Sequence, residues 1–231
     1  MTIDRDRLKR DAALRAIEFV EDGMVVGLGT GSTAYFVIEG LGARVAAGLK
    51  IVGIATSERT AAQARSLHIP LASFTEHQRL DLAIDGADEV ERGTLNLIKG
   101  LGGALLREKI VAAASRRFIV VVDDDKLVER LGARAPVPVE IAQFGWQSTA
   151  AALAKLGTEP VLRHAGEDHP FITDGGNYIL DCRFGTIADP GTLERRIGTI
   201  VGVLESGLFI GRSSAVVVAS SGGVEVLTRS A

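Results

Sequence analysis

Residues 24–34 read MVVGLGTGSTA, and this segment already indicates the fold class of the 231-residue chain. Residues 24–28 are an apolar run of strand length, and a glycine-rich turn at 29–33 leads from them into a helical pattern. Apolar strands that pass through such turns into helices are typical of parallel sheets buried on both faces. The turn can also direct backbone N–H groups at a phosphate, and the following helix adds its positive end.

Strand and helix alternate in the same way through the first half of the chain. Further strands are predicted at 51–55, 80–84 and 118–122, and helices at 4–21, 34–45 and 56–67 and after residue 103. We therefore expect an open, mostly parallel, Rossmann-like α/β sheet in a main domain of residues 1–131 and 208–231. Phe209, Ile210 and residues 215–219 are expected to return to this sheet.

The pattern changes between residues 132 and 207. This part contains an extended segment at 136–140, a helix at 146–156, a hairpin at 171–178 around an Asp-Gly-Gly turn, and a helix at 190–200. It is interpreted as a smaller α+β subdomain of ferredoxin-like type, inserted before the C-terminal strands.

The composition excludes several functional classes. The chain has 26 basic and 29 acidic residues, a net charge of −3, which argues against nucleic acid as a partner. No apolar run approaches the ~20 residues of a membrane helix, and the charged N-terminus lacks the apolar region of a signal peptide. The single cysteine, Cys182, fits a reducing compartment and is interpreted as a small buried side chain. We expect a cytoplasmic protein without a membrane partner.

Polar residues follow several predicted strands, at the edge where open α/β sheets bind ligands. Asp85 and Asp88 could bind sugar hydroxyls, transfer protons or hold a metal, or they could form an Asx-turn and a helix cap. The acidic run 123–125 is interpreted as a solvated turn and cap, and the four histidines as surface residues, so no metal site is predicted.

Lys99 and Glu108 flank a second glycine segment, residues 100–103. Abstraction of a proton next to a carbonyl needs a carboxylate with a raised pKa and a donor that faces the forming oxyanion. These two residues are of the right types. In the alternative interpretation, Glu108 is an exposed partner of Arg107 or Lys109. Spacing alone does not show whether Lys99 and Glu108 converge.

Two other functions compete with proton transfer. Residues 29–34 satisfy the relaxed dinucleotide pattern Gly-x-Gly-x-x-Ala, which would suggest an NAD(P)-dependent oxidoreductase. However, the second strand ends in Thr56-Ser57-Glu58, so the acidic ribose ligand would come later than usual. The other alternative is a non-catalytic sugar-phosphate sensor, although the chain leaves little room for the appended domain that sensors carry.

Taken together, the motifs resemble the type A ribose-5-phosphate isomerase family. The matches are GTGSTA at 29–34, DGADE at 85–89, and Lys99-Gly100 through REK at 107–109, with shorter ones at 138–140, 173–177 and 207–209. The resemblance implies interconversion of D-ribose 5-phosphate and D-ribulose 5-phosphate through an enediolate, without a metal or an organic cofactor. It also implies a homodimer or a homotetramer.

The resemblance implies roles for individual residues as well. Glu108 would be the general base, while Asp85, Asp88 and Lys99 would bind sugar oxygens, assist ring opening and stabilise charge. The implied substrate-binding residues are Thr30, Gly31, Ser32, Thr33, Asp85, Gly86, Ala87, Asp88, Lys99, Gly100, Leu101, Gly102 and Lys126, with Lys9 as a weaker phosphate contact. Leu101 replaces a family glycine, so its side chain should point outward and its φ should not be left-handed.

Seven of the 27 glycines lie in these segments. They are Gly27, Gly29, Gly31, Gly86, Gly100, Gly102 and Gly103. Because glycine lets a ligand come close to the backbone, we expect a small phosphorylated sugar to approach the chain at these positions.

Overall fold

The computed structural model describes residues 4–166 and 169–229. Residues 1–3, 167–168 and 230–231, which the predicted domain ranges include, lie outside the described residues. The helices are α1 (Arg5–Ala16), α2 (Ser32–Ala46), α3 (Glu58–Ser66), α4 (Leu105–Ala114), α5 (Trp146–Ala154) and α6 (Pro190–Gly198). A short 3₁₀ turn, Ile17–Phe19, follows α1, and a second one, Asp124–Lys126, precedes β7.

The strands fall into three sheets. They are β1 (Val25–Leu28), β2 (Val52–Ala55), β3 (Leu80–Asp85), β4 (Glu89–Glu91), β5 (Leu97–Ile98), β6 (Ser115–Asp123), β7 (Leu127–Val128), β8 (Val137–Ile141), β9 (Pro160–Leu162), β10 (Tyr178–Cys182), β11 (Val203–Ser206), β12 (Leu208–Phe209), β13 (Ala215–Ser220) and β14 (Gly223–Thr228). Across residues 4–166 and 169–229, no helix is long and apolar enough to span a membrane.

The main sheet has the order β14-β13-β6-β3-β1-β2 in the described part of the chain. All its neighbours are parallel except β14, which pairs antiparallel with β13. Helices α1 and α2 pack into the core on one face and α4 into the core on the other, so the central strands are buried on both sides. The predicted Rossmann-like α/β sheet is therefore confirmed.

The strand order places a ligand-binding crevice at β1 and β3. Strand β1 pairs with β2 on one side and with β3 on the other, so the chain changes direction across the sheet there. Open α/β sheets bind ligands outside the carboxyl ends of the strands at such a switch point. The turns after Leu28 and Asp85 meet at this edge.

The second sheet is antiparallel and has the order β11-β8-β10-β9. Along the chain, its elements run β8-α5-β9-β10-α6-β11, which is the split β-α-β arrangement of ferredoxin-like folds. Leu153 of α5 and Ile197 of α6 pack with Val139 and Leu180 of the strands in its core. This confirms the predicted ferredoxin-like part of the fold.

The expectation that Phe209 and Ile210 return to the main sheet is wrong. Strand β12, which contains Phe209, pairs antiparallel with β5 in a third sheet of order β12-β5-β4-β7. The Lys99 N–H donates to the Gly207 carbonyl, and a Cβ at Gly207 would collide with the Lys99 carbonyl. The chain is therefore held beside β5 as it leaves the second sheet, and it rejoins the main sheet at β13, which is followed by β14.

The predicted hairpin at 171–178 is correct only in its turn. Thr173 N–H donates to the Asn177 carbonyl, but residues 171–173 do not form a strand, and β10 pairs with β9 and β8 instead. The Thr173 hydroxyl and the Asn177 amide both donate to Glu140 Oε1. These contacts hold the segment as a loop against β8.

Three predictions about single residues have different outcomes. Cys182 is buried, as predicted, and burial raises the pKa of its thiol to about 12. Of the acidic run 123–125, Asp124 and Asp125 form an exposed turn as predicted, but Asp123 is buried at the end of β6 and its side chain makes no cap hydrogen bond. Gly27 serves packing rather than ligand approach, since a Cβ there would collide with Val111 of α4.

Candidate active site

Lys99 forms a buried charged cluster with Asp85 and Glu108. Its Nζ lies 3.1 Å from Asp85 Oδ2 and 3.3 Å from Glu108 Oε2, and all three side chains are 3–4% exposed. Asp85 ends β3, Lys99 follows β5, and Glu108 lies in the first turn of α4. Lys99 and Glu108 therefore converge, and the alternative of an exposed Glu108 is wrong.

The cluster has one ammonium group for two buried carboxyl groups. Burial raises the pKa of Glu108 to about 8; the Lys99 ammonium opposes this, and Asp85 and Asp88 add to it. Burial also raises the pKa of Asp85 against the opposing charge of Lys99. Burial alone would lower the pKa of Lys99, but the carboxylates outweigh it and the pKa is raised. Lys99 therefore stays charged, and the carboxyl groups hold a proton near neutral pH.

One oxygen of Glu108 is buried without a hydrogen-bond partner among the described residues. Glu108 Oε2 lies within ion-pair distance of Lys99 but accepts no hydrogen bond from the described residues. A buried acceptor without a partner costs free energy, and such groups in folded proteins often have a functional explanation. This oxygen is buried beside the Lys99 ammonium, so the charged form of the carboxyl group depends on that one neighbour.

Asp85 accepts hydrogen bonds from two loops of the site, the turn after β1 and the loop after β3. Its Oδ1 accepts hydrogen bonds from the Thr30 N–H at 2.9 Å and from the Gly86 N–H at 2.7 Å. A Cβ at position 29 would collide with the Asp85 carboxyl group, so glycine is required at the end of β1. Asp85 consequently lies behind the binding cavity rather than on its wall.

The glycine segment after Lys99 is fixed by Asp88. Asp88 Oδ2 accepts a hydrogen bond from the Leu101 N–H at 2.9 Å. The Leu101 side chain is 44% exposed, and its φ is not left-handed. The expectation that Leu101 points outward is confirmed, so the backbone of this segment can face a ligand although a family glycine is replaced.

A cavity of about 80 Å³ lies at the switch point of the main sheet. It is lined by predicted site residues: Thr30, Gly31, Ser32, Thr33, Gly86, Ala87, Asp88, Lys99, Gly100, Gly102, Glu108 and Lys126. The predicted residues Asp85, Leu101 and Lys9 are not among its lining. Lys9 lies on α1, with its Nζ 3.2 Å from Asp6 Oδ1.

One end of this cavity suits an anion. Helix α2 begins at Ser32 after Gly31, whose φ of +126° is left-handed and whose position supplies no side-chain cap. The first N–H groups of α2 therefore remain available to a ligand, and the helix dipole favours negative charge there. Lys126 adds a positive charge to the same cavity.

Sequence reasoning missed the partners that surround Thr30. Its hydroxyl meets those of Thr56, Ser57 and Thr60 within 3.1 Å. The polar end of the second predicted strand pointed to Thr56 and Ser57. Thr60 could have been found from its place three residues after Ser57, which caps α3 by accepting a hydrogen bond from the Thr60 N–H.

Lys109, the neighbour of Glu108, was also missed. It is buried, and its Nζ donates to Glu205 Oε1 at 2.8 Å, to Glu194 Oε1 at 3.1 Å and to the Leu208 carbonyl at 2.7 Å. Glu194 lies on α6 and Glu205 on β11, so Lys109 ties the ferredoxin-like part to the helix that carries Glu108.

The Phe209 ring contacts both buried lysines. Its centroid lies 4.9 Å from Lys109 Nζ and 5.6 Å from Lys99 Nζ, and the residue is fully buried. An ammonium group near an aromatic face is attracted by the negative charge of that face. Phe209 thus contacts both Lys109, which joins α4 to the ferredoxin-like part, and Lys99 of the charged cluster.

An open, mostly parallel sheet with a buried carboxylate–ammonium pair, beside a turn suited to an anion, is typical of α/β enzymes. Comparison with known proteins gives the family. Residues 52–223 match the family model of ribose 5-phosphate isomerase A (phosphoriboisomerase A), and the chain belongs to this family. The predicted resemblance is confirmed.

Known relatives match over nearly the whole chain. The ribose-5-phosphate isomerase A of Gloeobacter violaceus is 63% identical over 229 residues, which is 99% of each chain. The solved structure of ribose 5-phosphate isomerase A from Methanocaldococcus jannaschii is 42% identical in sequence and has a TM-score of 0.93. The alignment includes 97% of this chain and 99% of the M. jannaschii chain. A D-ribose-5-phosphate isomerase solved in complex with phospho-erythronic acid is 40% identical, covers 98% and 100%, and has a TM-score of 0.94.

Proposed function

We propose that this protein interconverts D-ribose 5-phosphate and D-ribulose 5-phosphate by moving a proton between C1 and C2 through an enediolate. The observation that carries the proposal is the buried Glu108 carboxyl group, whose pKa is raised to about 8 and whose Oε2 lies 3.3 Å from the Lys99 ammonium in the same cavity. Membership of the ribose 5-phosphate isomerase A family supports the same reaction.

The phosphate end of the sugar is assigned to the start of α2. Ser32 and Thr33 offer backbone N–H groups and hydroxyls, and Lys126 balances the charge of the phosphate. Lys9 is kept as a weaker phosphate contact from α1. With the phosphate held there, the opposite end of an open-chain pentose reaches toward Glu108.

Glu108 is the general base in this proposal. In the direction from aldose to ketose, it removes the proton from C2 and returns it to C1, while the proton on the C2 oxygen passes to the C1 oxygen. Lys99 donates hydrogen bonds to the oxygen that gains negative charge, and it keeps its own proton because its pKa is raised. Asp88, on the cavity wall, is assigned to the sugar hydroxyls and to ring opening, and Asp85 assists from behind the wall by holding Lys99 and the turn at Thr30.

The ligand of one relative supports this orientation. Phospho-erythronic acid, which is bound in one relative, combines a phosphate at one end with a carboxylate at the other. A carboxylate holds two oxygens side by side in one plane, and a cis-enediolate does the same with one oxygen on each of C1 and C2. We propose that this chain binds the same ligand with the carboxylate facing Lys99 and Glu108.

The chemistry needs no metal and no organic cofactor, because Lys99 supplies the positive charge and Glu108 the proton transfer.

We also propose a cytoplasmic homodimer or homotetramer, on the basis of family membership and the single buried cysteine. A main domain of 1–131 and 208–231 with a subdomain of 132–207 is likewise a proposal, supported by the separate second sheet. Light scattering on the purified protein would measure the number of subunits.

The decisive experiment uses purified protein treated with EDTA. Ribose 5-phosphate is added, and the appearance of ribulose 5-phosphate is followed over time. Steady conversion to the equilibrium mixture is expected, and no conversion would overturn the proposal. Equilibrium dialysis against NAD(P) addresses the oxidoreductase alternative, for which no binding is expected. Turnover in the first assay would also exclude a non-catalytic sensor.

A further inference from the structure

Four buried hydroxyl groups meet behind the turn that follows β1. Thr30 Oγ1 lies 2.7 Å from Thr56 Oγ1, 2.8 Å from Ser57 Oγ and 3.1 Å from Thr60 Oγ1. The four residues are 2–7% exposed. We call them the hydroxyl cluster. None of the roles assigned above explains why so many hydroxyls surround one side chain of the cavity.

The hydrogen bonds show which acceptors the three threonine hydroxyls have within reach. A hydroxyl has one proton to donate and two lone pairs that accept. Thr56 donates to the Leu28 carbonyl at 3.1 Å, and Thr60 donates to the Gly29 carbonyl at 2.8 Å. Thr30 donates to Ser57. Each threonine hydroxyl therefore has an acceptor among the described residues, whichever atom donates in the contacts of Thr30 with Thr56 and Thr60.

Ser57 is the member of the hydroxyl cluster that keeps a proton to donate. Its oxygen accepts from Thr30 Oγ1 at 2.8 Å and from the Thr60 N–H at 3.1 Å, which occupies both lone pairs. Among the described residues, its own O–H group is assigned no acceptor. A buried donor without a partner is costly, so an acceptor outside the protein chain is expected there.

The structure offers a place for that acceptor. A cavity of about 160 Å³ is lined by Ser57 and Thr30, by Gly102 and Gly103 of the glycine segment, and by Phe171 and Asp174 of the loop before β10. It shares Thr30 and Gly102 with the cavity of about 80 Å³, but not Ser32, Thr33 or Lys126. It therefore extends the site away from the phosphate end.

The combined size also favours occupation of both cavities. Pockets for small ligands are typically about 300–1,000 Å³, so a cavity of about 80 Å³ is small for a phosphorylated pentose. The second cavity adjoins the first at Thr30 and Gly102, and Glu108 lines the first. The sugar would therefore extend past Glu108 into the second cavity with its C1 end.

We propose that Ser57 is a further substrate-binding residue, whose hydroxyl donates a hydrogen bond to the oxygen on C1. This inference rests on the isomerase function proposed above. The C1 oxygen is a carbonyl in the aldose and shares negative charge in the enediolate. A donor placed at this oxygen therefore binds the transition state more strongly than the ground state.

The test separates the donor role of Ser57 from its role as the cap of α3. Ser57→Gly removes the hydroxyl but keeps a residue that caps helices nearly as well, while Ser57→Thr keeps both functions. Asp189→Gly is the matched control, because Asp189 caps α6 outside the site. We expect kcat/KM for ribose 5-phosphate to fall at least tenfold in Ser57→Gly and to stay within about threefold of wild type in the other two variants.

A Ser57→Gly enzyme that folds and retains kcat/KM within twofold of wild type would overturn the proposal. If the wild type itself does not convert ribose 5-phosphate, the proposed function fails instead. A measurement on the wild type needs no variant: a crystal structure with phospho-erythronic acid is expected to place Ser57 Oγ within 3.2 Å of a carboxylate oxygen. A separation above 4 Å would contradict the contact even if every variant misfolds.

Discussion

Lys99 Nζ lies 3.3 Å from Glu108 Oε2, although the two residues are on opposite sides of a glycine segment, and both side chains are 3% exposed. Water is thus largely excluded from an ion pair that has a second carboxylate, Asp85, at 3.1 Å. In such surroundings the protonation of one carboxyl group decides the charge of the site.

Glu108→Gln should abolish most of the activity without unfolding the protein. The amide has the shape of a protonated carboxyl group but cannot accept a proton from C2. General acid–base catalysis contributes about 10²–10⁴-fold, so kcat should fall by at least about 10³-fold while the melting temperature changes little. Steady-state kinetics and calorimetry measure the two effects. Turnover within tenfold of wild type would show that another group is the base.

Activity should increase with pH up to the pKa of Glu108. The base must be ionised to take a proton, and its pKa in the free enzyme is raised to about 8. The plot of log kcat/KM against pH should therefore climb between about pH 6 and 8 and level off above. A profile that is flat across this range would mean that Glu108 is already ionised at neutral pH.

Stability should change with pH in the opposite direction. The pKa of Glu108 is above its ordinary value of 4.5, so the folded protein binds an extra proton between about pH 4.5 and 8. The folding free energy that this proton contributes is fully present below pH 4.5 and is lost as the pH rises through 8. Asp85, whose pKa is also raised, acts in the same direction.

Glu108→Gln is the control for this effect, because its amide does not titrate. The free energy of unfolding of the wild type, relative to that of Glu108→Gln, should decrease from pH 5 to pH 8. Urea unfolding at several pH values measures the difference. A difference that grows with pH would contradict the raised pKa.

Lys109→Met should weaken both the fold and the reaction. It removes a buried ammonium group and leaves Glu194 and Glu205 without a partner, and breaking a buried pair costs about 3–5 kcal/mol. Because these carboxylates are partly exposed, a loss nearer about 2 kcal/mol is expected. Since Lys109 holds the helix that carries Glu108, kcat should also fall, by about tenfold.

Glu194→Gln is the milder comparison for Lys109→Met. It retains Glu205, the closer carboxylate, at 2.8 Å from Lys109 Nζ. Unfolding free energies and kcat of the two variants should therefore follow the same order, with Glu194→Gln near wild type. Equal losses in both variants would show that Glu194 matters more than its distance suggests.

The main sheet could be predicted because its strands and helices carry strong local signals. Apolar runs, glycine turns and caps such as Ser57 and Asp189 all agree with the observed elements. Strands of two or three residues, such as β5 and β12, are too short for periodicity to reveal. Their position depends on contacts such as that between Lys99 and Gly207, which only the folded chain brings together.

The residues of the candidate site could be named from the sequence, but their arrangement could not. The resemblance supplied the residue types around Glu108, whereas its distance to Lys99 and its raised pKa depend on burial. Lys109 looked like an ordinary exposed helix residue, and nothing local shows that Glu205 lies opposite. The hydroxyl cluster joins residues 26–30 positions apart, beyond the range of any local pattern.

The close approach of Gly29 to Asp85 also limits how this gene can vary. Every missense change in the codon for residue 29 adds at least a Cβ, and any Cβ there collides with the carboxyl group that fastens the turn of Thr30. Natural variants at this position should therefore be inactive rather than merely slower. Selection for an active enzyme should therefore keep glycine at position 29.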